Sequence, residues 1–184
     1  MIKKIFLGFA VTITLIACKE VEPKKSNSEL KNEVVVEEKK EISKKLVLEL
    51  DIETDQPEDL VLYSNEIFLN NGQFMNLRIT QKLNSNETKK HVAFEFPDNV
   101  KPDYNLGLLL GRKNEKELKI TNLQLTFGTF KLSIPENEFD KYFVFNKFVD
   151  YQKDTNTIVV KKVGGKLNPT IILKRKYLNQ IGKE

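Results

Sequence analysis

The densest source of chemistry in this sequence is a run of acidic side chains at alternating positions. The stretch ELDIETDQPED carries Glu49, Asp51, Glu53, Asp55, Glu58 and Asp59. Positions i and i+2 of an extended chain share one face, so Asp51, Glu53 and Asp55 present three oxygen donors in a row. Hard oxygen ligands suit calcium, although the run lacks the glycine-containing loop of a dedicated calcium motif. The plainer expectation is a charged outer face that keeps strand edges from pairing with another chain. Glycoside hydrolysis also needs only two carboxylates, about 5 Å or about 6.5–9.5 Å apart. The sequence singles out no such pair, and catalysis is not expected.

Other acid–base and nucleophilic groups are few. The single histidine, His91, alternates with Ala93 and Glu95 on the expected outer face of a strand. The single cysteine, Cys18, precludes an internal disulfide. One His and one Cys rule out the common zinc sites and leave Cys–His catalysis without support. There is no P-loop, no GxGxxG and no GxSxG. The net charge of +4 comes from interspersed signs, which gives no footprint for nucleic acid. A non-covalent binding site is better provided for. The outward row Phe74, Asn76, Arg78 and Thr80 on one strand, with Tyr104, supplies aromatic surface for sugar C–H groups and polar groups for hydroxyls. Two alternatives weigh against it: Phe74 packs under a loop, and Arg78 pairs with a carboxylate of the first strand.

The elements that position these groups read as strands. LVLELDIE (46–53) places Leu46, Leu48, Leu50 and Ile52 on one face. QFMNLRITQKL (73–83) turns Met75, Leu77, Ile79 and Leu83 inward, and HVAFEF (91–96) does the same with Val92, Phe94 and Phe96. YNLGLLLG (104–111) is apolar on both faces, as a central strand can be. ELKITNLQLTFG (117–128) begins with Leu118 and Ile120 on one phase and resumes with Leu123, Leu125 and Phe127 on the other, which predicts a β-bulge at Thr121-Asn122. TFKLSI (129–134), TIVVKK (157–162) and TIILKR (170–175) complete the set, with a hairpin turn at QKDTNT. Only PENEFDKYF (135–143) has helical spacing, and most of the aromatic-rich stretch from Phe139 to Tyr151 is expected in the core, since the chain has no Trp. The fold class is all-β: a single antiparallel β-sandwich, jelly-roll-like, over residues 46–184.

Two segments precede that domain. Lys3 and Lys4 lead an apolar run, Ile5 to Ile16, too short to span a bilayer core of roughly 30 Å and laid out like a secretory signal peptide. Residues 19–45, dominated by Lys and Glu with no aromatic and no glycine, read as a charged tether. The tail LKRKYLNQIGKE is locally basic and reads as a solvated end.

Two resemblances add to this reading. Leu15-Ile16-Ala17-Cys18 resembles the bacterial lipobox. That resemblance implies removal of residues 1–17 and a diacylglyceryl group on Cys18, with the acylated Cys and tether occupying 18–45. In the same family Asp after the cysteine commonly marks inner-membrane retention. Lys19 at that position implies the outer membrane, and the CKEVE start is similar to a signal for export to the cell surface. The second resemblance is carried by PDYNLGLLLGRKNEKELKITNLQLTFG, which is similar to the late strands of galactose-binding-like jelly rolls found in carbohydrate-binding modules. It implies a face or loop end that binds glycan, sometimes with a structural calcium. The expected function is therefore glycan binding at the envelope by a lipid-anchored sandwich. A protein-interaction or structural subunit of an envelope complex is the alternative, and a carboxylate-based glycan hydrolase the third.

Overall fold

The computed structural model describes residues 44–69, 71–84 and 89–183, so the leader, Cys18 and nearly all of the tether lie outside the described residues. The described chain is a two-sheet antiparallel β-sandwich. Its strands are β1 (Leu46–Glu53), β2 (Glu58–Phe68), β3 (Phe74–Leu83), β4 (Lys89–Glu95), β5 (Gly107–Leu109), β6 (Lys116–Phe127), β7 (Phe130–Ile134), β8 (Phe143–Phe145), β9 (Val149–Gln152), β10 (Thr157–Val160) and β11 (Thr170–Leu173). Single-turn helices α1 (Phe139–Tyr142) and α2 (Arg175–Leu178) cap connections. Among the described residues no helix is long and apolar enough to cross a membrane.

The first sheet has the order β4-β1-β6-β10-β9, with β7 also on β6. The long β6 makes this possible: its start pairs with β10 through Leu118, its end pairs with β7 through Leu123 to Phe127, and β1 runs along its other side. Between those halves the ladder with β1 is broken, because Asn122 and Leu123 together oppose Leu50. Asn122 sits at φ 51°, a left-handed conformation that asparagine tolerates better than most residues. The phase switch in the sequence is this bulge.

The second sheet has the order β3-β2-β5-β11-β8. β5 is its centre and is buried along its whole length. It is shorter than the apolar stretch 104–111 suggests, although backbone bonds to the β11 segment continue in register on both sides: the Leu106 carbonyl accepts from Leu173 N–H and Leu110 N–H donates to the Pro169 carbonyl. β2 interrupts the sequence-based picture more strongly, since no strand is expected from 58 to 68. It too carries a bulge: Asn65 and Glu66 together oppose Asn76, and Glu66 stands at φ 55°.

The alternating strands close one core. Leu46, Leu50, Ile52, Leu60, Phe94 and Ile171 are all within 1 % of full burial. The inward residues of β3 (Met75, Leu77 and Ile79) are only half-buried, because β3 is an edge strand. Phe139, Phe143 and Phe148 are buried, as expected of the aromatic-rich stretch.

Candidate functional site

The two outer faces of the sandwich differ in chemistry. On the first sheet, cross-strand rows read Lys89–Glu53–Lys119 and His91–Asp51–Thr121. Opposite charges facing each other across a ladder stabilise it modestly and keep it hydrated. Asp51 is the hub of this face. It accepts from Asn122 Nδ2 at 2.8 Å, lies 2.9 Å from His91 Nδ1 and 3.8 Å from Lys89 Nζ. The Asn122 hydrogen bond, then that of His91, hold the Asp51 carboxyl below its ordinary value. Its oxygens are thus engaged by side chains, and Glu53 stands 3.8 Å from Lys89. Among the described residues no three His, Cys, Asp or Glu side chains are placed to hold a metal ion, so Asp51, Glu53 and Asp55 form no calcium cage.

Glu58 departs from the rest of the acidic run. It is 1 % exposed rather than on the outer face. Its phase is that of Leu60 and Leu62, which was the signal available in the sequence. Its carboxylate accepts from the backbone N–H groups of Asp59, Arg112 and Lys113 and from Lys116 Nζ at 2.8 Å. Burial pushes this carboxyl up, but the Lys116 hydrogen bond, the Asp59 N–H and the Lys116 charge outweigh it, and the group titrates below its ordinary value. Gly111, at φ 86°, lets the backbone pass: a Cβ there would lie 1.8 Å from Glu58 Cγ. The pair therefore pins the polar turn that carries the chain from β5 in one sheet to β6 in the other.

The outer face of the second sheet is less charged and more apolar. One row across all five strands reads Arg78–Tyr63–Gly107–Ile172–Val144, and the next reads Thr80–Val61–Leu109–Thr170. Tyr63 lies down across Gly107, where an added Cβ would meet its ring at 2.4 Å. Its hydroxyl reaches Thr170 on β11, and burial pushes the phenol up, so it stays protonated. The Arg78 guanidinium sits 5.6 Å from the centre of the Tyr63 ring. Arg78 thus pairs with an aromatic of β2 and not with a carboxylate of β1, which belongs to the other sheet.

The other residues expected to bind ligand are distributed differently. The Asn76 side-chain oxygen accepts from Glu66 N–H at 3.0 Å and so supports the β2 bulge. Phe74 does not pack under a loop: it is 68 % exposed, in an edge-to-face pair with Phe68 at 5.4 Å. Tyr104 stands at the same end of the sandwich, because the neighbouring Asp103 carboxylate accepts from Phe68 N–H. Sequence reasoning missed Tyr63 and Phe68, both on the unrecognised β2. The structure therefore brings Arg78 and Tyr63 together on the sheet face and gathers Phe68, Phe74 and Tyr104 at one end.

No protein-family model matches this chain, and no curated protein or solved structure matches it significantly, so the geometry of these faces carries the functional reading.

Proposed function

We propose that this chain is an envelope lipoprotein, anchored in the outer membrane through an acylated Cys18, whose sandwich binds a glycan without catalysis. The anchor rests on the Leu15–Cys18 motif and its short apolar leader. Binding rests on the outer face of the second sheet, and above all on Arg78 over Tyr63 above the Gly107 floor. This is an open sheet face, which suits an extended polymer better than a small enclosed molecule. The guanidinium donates to hydroxyls, Thr80 adds a hydroxyl partner, and the half-buried Tyr63 and Val61 supply apolar surface for sugar C–H groups.

Retention of the full-length protein on immobilised polysaccharides tests this reading. Saturable retention is expected on at least one charged or neutral polymer. Arg78→Ala should lower it about tenfold, the loss of one charge-assisted hydrogen bond. Glu49→Ala, on the opposite face, should leave it unchanged. Absence of retention, with a fixed protein partner co-purifying after detergent extraction, would instead support an envelope-complex subunit. Product release abolished by a single carboxylate substitution would support a hydrolase.

A further inference from the structure

Three of the four large apolar side chains exposed among the described residues lie at one end of the sandwich: Phe68 (57 %), Phe74 (68 %) and Tyr104 (60 %). The domain is entered at that same end. Lys44, the first described residue, exchanges hydrogen bonds with Asn99 and lines a hollow together with Phe68, Lys101 and Gly182. An adjoining hollow shares Lys101, Asp103 and Gly182 and adds Arg175 and Lys183, so the basic C-terminal tail is folded onto this end as well. Arg175 lies 5.7 Å over the Tyr104 ring and donates to the carbonyls of Asp103 and Tyr104. The carboxylates lining these hollows are Asp98, 3.9 Å from a Lys45 that also holds Glu95 at 3.0 Å, and Asp103, 3.8 Å from Lys101.

We infer that this end docks onto an anionic lipid bilayer, with Phe68, Phe74 and Tyr104 at headgroup depth and Lys101, Arg175 and Lys183 against lipid phosphates. The inference rests on the anchor proposed at Cys18 and adds a second, reversible contact to it. Between Cys18 and Lys44 the chain advances 44 − 18 = 26 residues. A stretch of that many residues reaches at most about 90 Å, so acylation at Cys18 would confine the domain to the neighbourhood of the bilayer. Aromatic rings flanked by basic side chains are the groups that partition to a membrane–water interface. Anionic headgroups attract such basic clusters within about a Debye length. With this end down, both sheet faces stand upright from the bilayer, and the Arg78–Tyr63 face remains open to ligand.

The chain contains no tryptophan, so Phe74→Trp places a single indole in the contact. The acylated full-length variant is reconstituted into vesicles of phosphatidylglycerol and phosphatidylcholine, and emission is compared with and without brominated acyl chains. Docking predicts blue-shifted emission and at least a twofold loss of intensity with brominated lipid. Val144→Trp, on the edge strand β8, should show neither change. Lys101→Glu with Lys183→Glu should halve the quenching at Phe74→Trp, and Arg78→Ala should leave it intact. If the protein sediments with vesicles while Phe74→Trp stays unquenched, docking is overturned and the anchor stands. If it does not sediment at all, the anchor fails and the docking with it.

Discussion

Glu58 and Lys116 meet at 2.8 Å with each side chain about 1 % exposed, the most buried ion pair among the described residues. Such a pair is costly to break from one side, because the remaining charge stays desolvated. The two sides are not equivalent here. Glu58 retains three backbone N–H donors without Lys116, whereas Lys116 without Glu58 keeps only the Asn114 carbonyl at 3.4 Å. Glu58→Leu is expected to cost about 3–5 kcal/mol and Lys116→Met distinctly less. Urea unfolding of both single variants and the double variant checks this. Equal costs would contradict the asymmetry.

Gly111→Ala attacks the same junction from the backbone. The substituted residue must hold φ 86° and place a methyl carbon inside the Glu58 side chain. Strain of that kind costs about 1–3 kcal/mol before any displacement of Glu58 is counted. The variant should unfold at lower urea with an unchanged slope. Gly107→Ala has a different consequence: it forces the Tyr63 ring off the sheet, so polysaccharide retention should fall more than stability does.

Asn122 combines a left-handed backbone with a hydrogen bond to Asp51. Asn122→Gly keeps the conformation and loses the bond, and Asn122→Ala loses both. The expected order of stability is Asn, then Gly, then Ala, with about 1–2 kcal/mol between the last two. Thermal or urea midpoints that place Ala at or above Gly would mean the bulge relaxes without cost.

Acid sensitivity follows from two depressed carboxyls, Asp51 and Glu58. Each binds its proton more weakly folded than unfolded, so its contribution is complete above the ordinary values, 3.8 for Asp and 4.5 for Glu, and is lost as pH falls through the lower folded values. Urea midpoints should therefore hold steady above about pH 5 and decline below it. Asp51→Asn should flatten that decline while lowering stability at neutral pH.

Much of this arrangement is legible in the residues themselves. Leu46 to Ile52 and Val92 to Phe96 alternate without interruption, so their inward phases are readable before any partner strand is known. The Asn122 bulge is legible because a bulge shifts the phase of every residue beyond it. β2 is hidden by the same device: Ser64, Asn65 and Glu66 break the alternation where its own bulge lies, and Glu58 presents a charge at a core position. The three- and four-residue strands β8 and β9 carry too few positions for a period to register, and their place is set by packing of Phe143 and Tyr151 against other elements. Arg78 shows the remaining boundary. Its outward direction follows from β3 alone, but its neighbour Tyr63 depends on sheet order, which local sequence does not encode.

Attachment of the sandwich to a membrane through Cys18, on which the proposed function and the bilayer docking both rest, is checked by the mass of the N-terminal peptide of the mature protein from its native cell. The expected peptide begins at Cys18 and carries the added mass of a diacylglyceryl group with its acyl chains. A peptide that retains residues 1–17, or a Cys18 that still reacts as a free thiol, would contradict it.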